Sequence, residues 1–311
     1  MTTDNGNQRP SVSAVITTHN RPVPLAAAIE SALALDTSDF DLELIVVDDG
    51  STDETPDVLA RYPIRSIRTN GVGMARARTI GMEASTGDYF SLLDDDDVWL
   101  PTAISTQLRV FAEHPEYAAV HAQAVLAGPG LEPFGDPFPA GPLQSGMIFD
   151  QLLGYFPQVG TIVTRMDRAL EAGPFDATLP GDNDWDWLLR IARRYPIGAV
   201  DTPVMMFRQR DEPQEELGWR RFPAIQQIFR RHTAPLPFID RVRLEPTLWR
   251  HRGWCSSIFL NYAQDNWRNA ERRRAARSLG YAVRVSPVHT VTELIRRLRR
   301  GQGRHHVGGL R

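Results

Sequence analysis

Three runs of apolar residues along the chain stop abruptly at polar clusters. Val12–Ile16 ends at Thr17-Thr18-His19-Asn20, Leu42–Val47 at Asp48-Asp49-Gly50-Ser51, and Tyr89–Leu93 at Asp94-Asp95-Asp96-Asp97. Short runs of this make-up predict buried strands, and their continuous apolar character favours a parallel sheet covered on both faces. Between them the period changes to that of helices. Pro24 fits a first helical position ahead of Leu25, Ile29 and Leu33. Ser51 with Glu54 reads as a capping box before Val58, Leu59 and Tyr62. Met74, Ala77, Ile80 and Ala84 make a third stripe, and Ile104, Leu108 and Phe111 a fourth that opens at Pro101. Strand alternating with helix predicts an α/β fold with a mostly parallel, Rossmann-like sheet. Ligands of such sheets bind at the carboxyl ends of the strands, which here are the polar clusters.

Further along, nine of the fifteen residues from Gly128 to Pro142 are Gly or Pro. This composition predicts a loop that could act as a mobile cover. Val159–Thr164 reads as a strand, Asp184–Tyr195 as a helix with Trp187, Leu188 and Ile191 on one face, and Val200–Phe207 as a last strand. Beyond Gly218 the pattern is helical. The expected organisation is an α/β domain over 11–218, in two parts at 11–126 and 143–210, then a basic helical region over 219–311.

The charge distribution sharpens that division. The net charge is −3, yet residues 241–311 hold 16 arginines against four acidic residues, a balance of +12 that leaves −15 for the rest. Val291, Leu294, Ile295 and Leu298 recur at helical spacing among these arginines. Such a segment could lie on an anionic membrane, or pack on the catalytic domain or a second subunit. The chain contains no lysine, which excludes Schiff-base and P-loop lysine chemistry. The single Cys255 cannot form an internal disulfide, and no apolar run is long enough to span a bilayer. The polar Met1–Pro10 lacks a signal-peptide stretch, so a cytoplasmic protein, at most peripheral on the inner membrane face, is expected.

Four adjacent carboxylates at 94–97 cannot all stay ionised in a partly dry site without a compensating cation. Oxygen-only ligands suit Mg²⁺ or Mn²⁺ held by one or two carboxylates and substrate phosphates. A bare run of Asp is more often a solvated turn; its position after a buried strand and before Val98-Trp99-Leu100-Pro101 favours the site. Of Asp48 and Asp49, one suffices to cap a helix, which leaves the other for a ligand. Gly71-Val72-Gly73 lacks the third glycine of a dinucleotide fingerprint, so a Rossmann dehydrogenase is rejected.

In order along the chain stand SAVITTHNRP (13–22), LIVVDDGSTDE (44–54), ARTIGMEASTGDYFSLLDDDDVWLP (77–101), GPFD (173–176) and NDWDWLLRIA (183–192). From about Ser11 to Arg210 the sequence resembles the family-2 glycosyltransferases of the GT-A fold. The resemblance implies inverting sugar transfer from a nucleoside diphosphate sugar (UDP, GDP or dTDP) to a glycan or lipid-linked acceptor, with Mg²⁺ or Mn²⁺ as cofactor and no nucleic acid as partner; it makes 11–218 the catalytic domain, 11–126 its donor half and 143–210 its acceptor half. Carried over by position, Thr17 and His19 edge the base pocket, Asp49 binds the base, and Arg21, Asp94 and Asp95 also belong to the nucleotide-sugar site. Arg78 stands where the family has the Arg of an Ala-Arg-Asn segment and would support the phosphates, although Thr79 replaces the Asn. Asp96 is the expected metal ligand. Asp184 matches the general base, with Asp182 and Asp186 as close competitors, and Asn183 takes the place of the family's Glu. Arg208 and Arg210 are expected near phosphate or acceptor, Arg210 replacing a family His. Trp185, Trp187 and Trp219 could stack on an acceptor sugar, though tryptophans at helical spacing are more often core. Two rival readings are a catalytically silent nucleotide-sugar binder and a nucleotidyltransferase; the missing lysine and glycine-rich phosphate loop weigh against the second.

Overall fold

The computed structural model describes residues 9–155, 157–209 and 215–301; for 215–220 and 298–301 it describes the backbone alone. The chain forms two compact units, Met1–Asp211 and Glu212–Arg311.

In the first unit the three apolar runs are strands: β1 (Ser11–Thr18), β2 (Asp41–Asp48) and β4 (Tyr89–Asp94), with β3 (Arg65–Arg68) at the edge. These four pair in parallel in the order β3-β2-β1-β4. Beyond β4 the sheet turns mixed. β8 (Ile162–Arg165) runs antiparallel to both β4 and β6 (Ala119–Ala127), while β9 (Ile197–Arg208) is parallel to β6 and antiparallel to the short β5 (Val98–Trp99). The expected parallel pairing therefore holds for β1 to β4 and for β6 with β9, while β5 and β8 pair antiparallel.

Helices cover the sheet. α1 (Pro22–Leu33) starts two residues before the expected Pro24 and buries Leu25, Ala28, Ile29 and Ala32. Leu33, expected in the core stripe, is 45% exposed because Ala32 fills that position. The expected capping box does not form. α2 (Thr55–Leu59) begins later, no side chain caps it, and the Ser51 hydroxyl instead accepts from the Asn20 backbone N–H. α3 (Met74–Ala84) is rotated from its apolar stripe: Met74 is exposed, while Ala75, Arg78, Thr79 and Met82 face inward. Gly81 makes this close approach possible, since a Cβ there would stand 2.3 Å from a Val15 methyl. α4 (Ala103–Glu113) buries Ile104, Leu108 and Phe111 as its pattern requires.

The Gly/Pro-rich stretch is not wholly loop. Pro133–Phe138 forms β7, an exposed strand antiparallel to β6. Two short helices, α5 (Phe149–Leu152) and α6 (Met166–Ala172), flank a 3₁₀ turn at Val159–Thr161, where a longer strand was expected. α7 (Asn183–Ala192) completes the unit.

The second unit is helical: α8 (Glu215–Thr233), α9 (Phe238–Arg268), α10 (Arg272–Val285) and α11 (Pro287–Gly301). No helix of the described residues is long and apolar enough to cross a membrane.

Candidate functional site

The carboxyl ends of the central strands lie level. Thr17 stands in register with both Val47 and Asp94, and Thr18 with Asp48. From β1 the chain moves to β2 and β3 on one side, then crosses to β4 on the other. The strand order thus reverses between β1 and β4, and at such a switch point α/β sheets commonly bind ligands in a crevice outside the strand ends. Thr17, at the end of β1, is half-buried.

The four carboxylates of 94–97 have four different surroundings. Arg78 donates through Nη2 to Asp94 Oδ1 at 2.6 Å. Arg21 Nη1 donates to Asp95 Oδ1 at 2.9 Å and lies 3.3 Å from Asp96 Oδ2. Asp97 is buried and accepts from the Arg208 backbone N–H at 2.9 Å. Burial lifts the Asp95 carboxyl to about 6 against the opposing pull of Arg21. Burial also works against the charge on Arg21, but Asp95 and Asp96 outweigh it and hold the guanidinium above its ordinary value. The like-charge repulsion that called for a cation is thus relieved in part by the chain's own arginines.

The Asp96 side chain is 11% exposed. Among the described residues no cluster of three or more His, Cys, Asp or Glu side chains forms a complete metal cage. Mg²⁺ and Mn²⁺ beside a diphosphate are commonly held by only one or two carboxylates, so the partly exposed Asp96 carboxylate fits a substrate-bridged ion.

Asp49 is clasped by a neighbouring loop. Its Oδ1 accepts from the Thr69 hydroxyl and the Val72 N–H, and its Oδ2 from the Gly73 N–H at 2.8 Å. A base N–H would share Oδ2 with Gly73, so the direct base contact expected of Asp49 competes with holding the loop. The Gly71-Val72-Gly73 segment therefore shapes the carboxylate's surroundings and has no part in a dinucleotide turn. Gly50, at φ +80°, approaches the same loop so closely that a Cβ would lie 2.9 Å from Gly71 N. His19 is exposed beside it, with Nδ1 2.8 Å from the Asp49 carbonyl.

Arg78 differs from its expected role. It is 3% exposed; Nη1 donates to Asn183 Oδ1 at 2.9 Å, and Nη2 to Asp94. Burial acts against its charge, but Asp94 and Asp184 raise its pKa above the ordinary arginine value. A guanidinium so enclosed ties Asp94 to α7 through Asn183. Asn183, likewise buried, holds Arg78 and is not displayed to an acceptor.

On the first turn of α7, Asp184 is 25% exposed at its side chain and Asp186 is 0%. Asp186 is bonded to Arg190 at 3.1 Å. Among the competitors, this removes Asp186 from contact with any substrate. Trp185 is also interior: it is 2% exposed and its indole donates to the Leu152 carbonyl at 2.7 Å. Trp187 stacks on Phe175 at 5.0 Å, so neither ring is a platform for a sugar. Arg208 donates through Nε to the Asp96 carbonyl at 2.7 Å and through Nη1 to the Pro129 carbonyl, lacing the acidic turn to the segment ahead of β7. Arg210 and the Trp219 side chain lie outside the described residues.

Three contributors escaped sequence reasoning. Arg68 bonds Asp48 Oδ2 at 2.5 Å and the Ser51 carbonyl at 2.6 Å. Thr69 holds Asp49, and Asn20 accepts from the Thr52 N–H through its side chain. The available signal was Arg68-Thr69-Asn70 running directly into Gly71-Val72-Gly73, a polar cluster at the end of a fourth, weakly apolar strand.

Comparison with known proteins gives this arrangement a context. Residues 13–142 match the model of the family described as glycosyl transferase family 2. An uncharacterized glycosyltransferase of Nostoc sp. is 32% identical over 123 residues, covering 38% of each chain. The Escherichia coli UDP-Glc:alpha-D-GlcNAc-diphosphoundecaprenol beta-1,3-glucosyltransferase WfaP is 34% identical over 116 residues, 34% of this chain and 45% of that one. The chain spans only 33% to 61% of the length of such relatives from Rickettsia felis, Nostoc and Haemophilus influenzae. Among solved structures, the mannosyltransferase PcManGT of Pyrobaculum calidifontis, in complex with GDP-Man and Mn²⁺, superposes with a TM-score of 0.64 at 16% identity. That match covers 94% of this chain and 81% of the other, and shows the shared GT-A fold. The level strand ends, the acidic turn and the motif order agree with these matches: residues 13–142 match glycosyl transferase family 2, and the chain has the GT-A fold of its solved neighbours.

Proposed function

We propose that the protein transfers a sugar from a nucleoside diphosphate sugar to a hydroxyl of a glycan or lipid-linked acceptor, inverting the anomeric carbon. One observation carries this reading: the buried Arg78 guanidinium holds Asp94 at 2.6 Å and stands 3.6 Å from Asp184. It thereby fixes the donor-side carboxylates against the one first-turn acid of α7 that faces solvent. Asp184 is positioned to take the proton from an acceptor hydroxyl as its oxygen attacks the anomeric carbon. Attack opposite the departing diphosphate inverts that carbon, and no covalent enzyme intermediate is needed. Mg²⁺ or Mn²⁺ on Asp96 would supply neutralisation of the charge developing on the leaving group. His19, Thr17 and Asp49 bound the nucleotide end of the crevice.

Metal use is supported by the PcManGT complex with GDP-Man and Mn²⁺, and a nucleotide-sugar donor also by the Staphylococcus aureus TarS complex with UDP-GlcNAc. The acceptor class is supported by WfaP, whose name specifies a diphosphoundecaprenol-linked sugar.

The test is release of nucleoside diphosphate from UDP-, GDP- and dTDP-sugars with Mn²⁺ or EDTA, with NMR assignment of the product anomer. Asp184→Asn should leave donor affinity nearly intact and slow transfer by about 10²–10⁴-fold. Retention of configuration, or an Asp182→Asn variant inactive where Asp184→Asn is active, would overturn the assignment. Donor binding without turnover would identify a silent binder. Pyrophosphate release from a nucleoside triphosphate would identify a nucleotidyltransferase.

A further inference from the structure

The last helix of the C-terminal unit is docked by its polar side. Ser257 and His289 Nε2 are 2.8 Å apart, the buried hydroxyls of Ser256 and Thr290 are 2.9 Å apart, and Arg297 donates to Asn261 at 2.7 Å and Gln264 at 3.1 Å. His289, Thr290, Glu293 and Arg297, at helical spacing, thus mark the side of α11 that meets α9. The apolar residues fall on the opposite side. Val288, Val291, Leu294 and Ile295 are 64%, 55%, 37% and 45% exposed. An amphipathic helix ordinarily buries its apolar stripe in its own core; here that stripe is turned outward.

Helical periodicity adds to this face. Seven- and four-residue steps along α9 carry Val242 to Trp249 and on to Gly253, where a Cβ would stand 3.1 Å from His289. Val242 and Trp249, 53% and 52% exposed, therefore share the side of α9 on which α11 docks further along. Outward aliphatics with a tryptophan, set among arginines, are what the boundary between lipid headgroups and acyl chains accepts.

We propose that this face of α9 and α11 seats the protein on an anionic phospholipid surface. Charge selects that occupant over a second copy of the chain. Residues 241–311 carry a balance of +12, so two such faces repel, whereas phosphate headgroups attract them. Arginine suits the role twice over: its guanidinium pairs with phosphate in bidentate fashion, and its stem lies along apolar surface. The proposal stands apart from the transfer reaction, since a catalytically dead chain would bind equally.

The experiment is sedimentation of the full chain with vesicles of phosphatidylcholine alone or mixed with an equal part of phosphatidylglycerol, read together with tryptophan fluorescence. We expect binding to the mixed vesicles, a blue shift of emission, and a loss of roughly tenfold or more at high salt. Val291→Glu with Ile295→Glu, both on the exposed side, should weaken binding by a similar factor while circular dichroism stays unchanged. Absence of sedimentation at low salt, or equal binding to both vesicle types, overturns the proposal whether or not the variant folds. So does a concentration-dependent dimer of the wild type, seen by sedimentation velocity and abolished by the double variant, which would assign the face to self-association.

Discussion

Arg78 Nη1 stands 3.6 Å from the Asp184 carboxylate while the same side chain is 4% exposed. The acid proposed as base is therefore approached from its buried side by a fixed positive charge, and its other side is left to solvent. That charge orients Asp184 at 3.6 Å, and it holds Asp94 at 2.6 Å.

Replacing this guanidinium tests the arrangement. Arg78→Met leaves two partly buried carboxylates without their partner and should cost about 2–4 kcal/mol, discounted from the full buried-pair value because Asp94 and Asp184 retain water. Arg78→Lys keeps the charge but not the fork that reaches Asn183 and Asp94 together. We expect Arg78→Lys to melt close to wild type yet to lose kcat with KM for the donor little changed. Thermal melts and steady-state kinetics check both; a kcat equal to wild type would show that Arg78 is purely structural.

Asp96→Asn should weaken nucleoside diphosphate affinity in Mn²⁺ by at least the 10–100-fold, roughly, that altering an outer-shell partner of a metal costs. The same variant should bind like wild type in EDTA. Isothermal calorimetry distinguishes the two conditions, and equal wild-type affinity with and without metal would count against an ion on Asp96.

The raised Asp95 carboxyl gives a pH signature. Its pKa in the folded protein is about 6 against 3.8 in the free residue. A folded value above the unfolded one favours the folded state fully below about pH 4, and that contribution is lost as pH rises to about 6. The linkage is on the order of 2–3 kcal/mol. Without metal or donor, the difference in melting temperature between wild type and Asp95→Asn should therefore shift across this window, wild type losing ground as pH rises. A constant difference would mean that Asp95 titrates normally.

Gly81→Ala should destabilise by about 1–3 kcal/mol, because the new methyl meets the buried Val15 side chain, which has a stiff branch at Cβ. Since α3 also carries Arg78, transfer should fall along with the melting temperature. A variant as stable as wild type would show that the helix can shift outward freely.

Much of this was legible in the chain. The strands of the donor half announced themselves because they are buried on both faces and consist of unbroken Val, Ile and Leu. β6 did not: Ala119–Ala127 is rich in alanine and carries His121 and Gln123 inward, where Tyr155 and the Pro139 carbonyl satisfy them. No periodicity rule reads polar residues as core. β7 was hidden in Gly and Pro, which an edge strand tolerates. At the site, the acids could be read from sequence because they follow buried strands, whereas their partners could not. Arg21 and Arg78 become counter-ions of 94–96 only through packing, and the buried side of α3 contains an arginine where an apolar stripe was expected. Trp185 drew attention as a sugar platform because indoles often serve that way; its hydrogen bond to Leu152 shows it to be framework.

The lacing of the acidic turn also bears on how the site is assembled during synthesis. The stretch with family-wide character ends at residue 142, yet Asp97 is held by the N–H of Arg208, and β5 pairs with β9. A nascent chain that has emerged only to residue 142 carries every donor-side acid and none of the clamp that sets the far end of their turn. Until the ribosome has released β9, the carboxylates sit on a strand end with one side unanchored, so competence to bind a donor should arrive as a late, single step in the life of the chain.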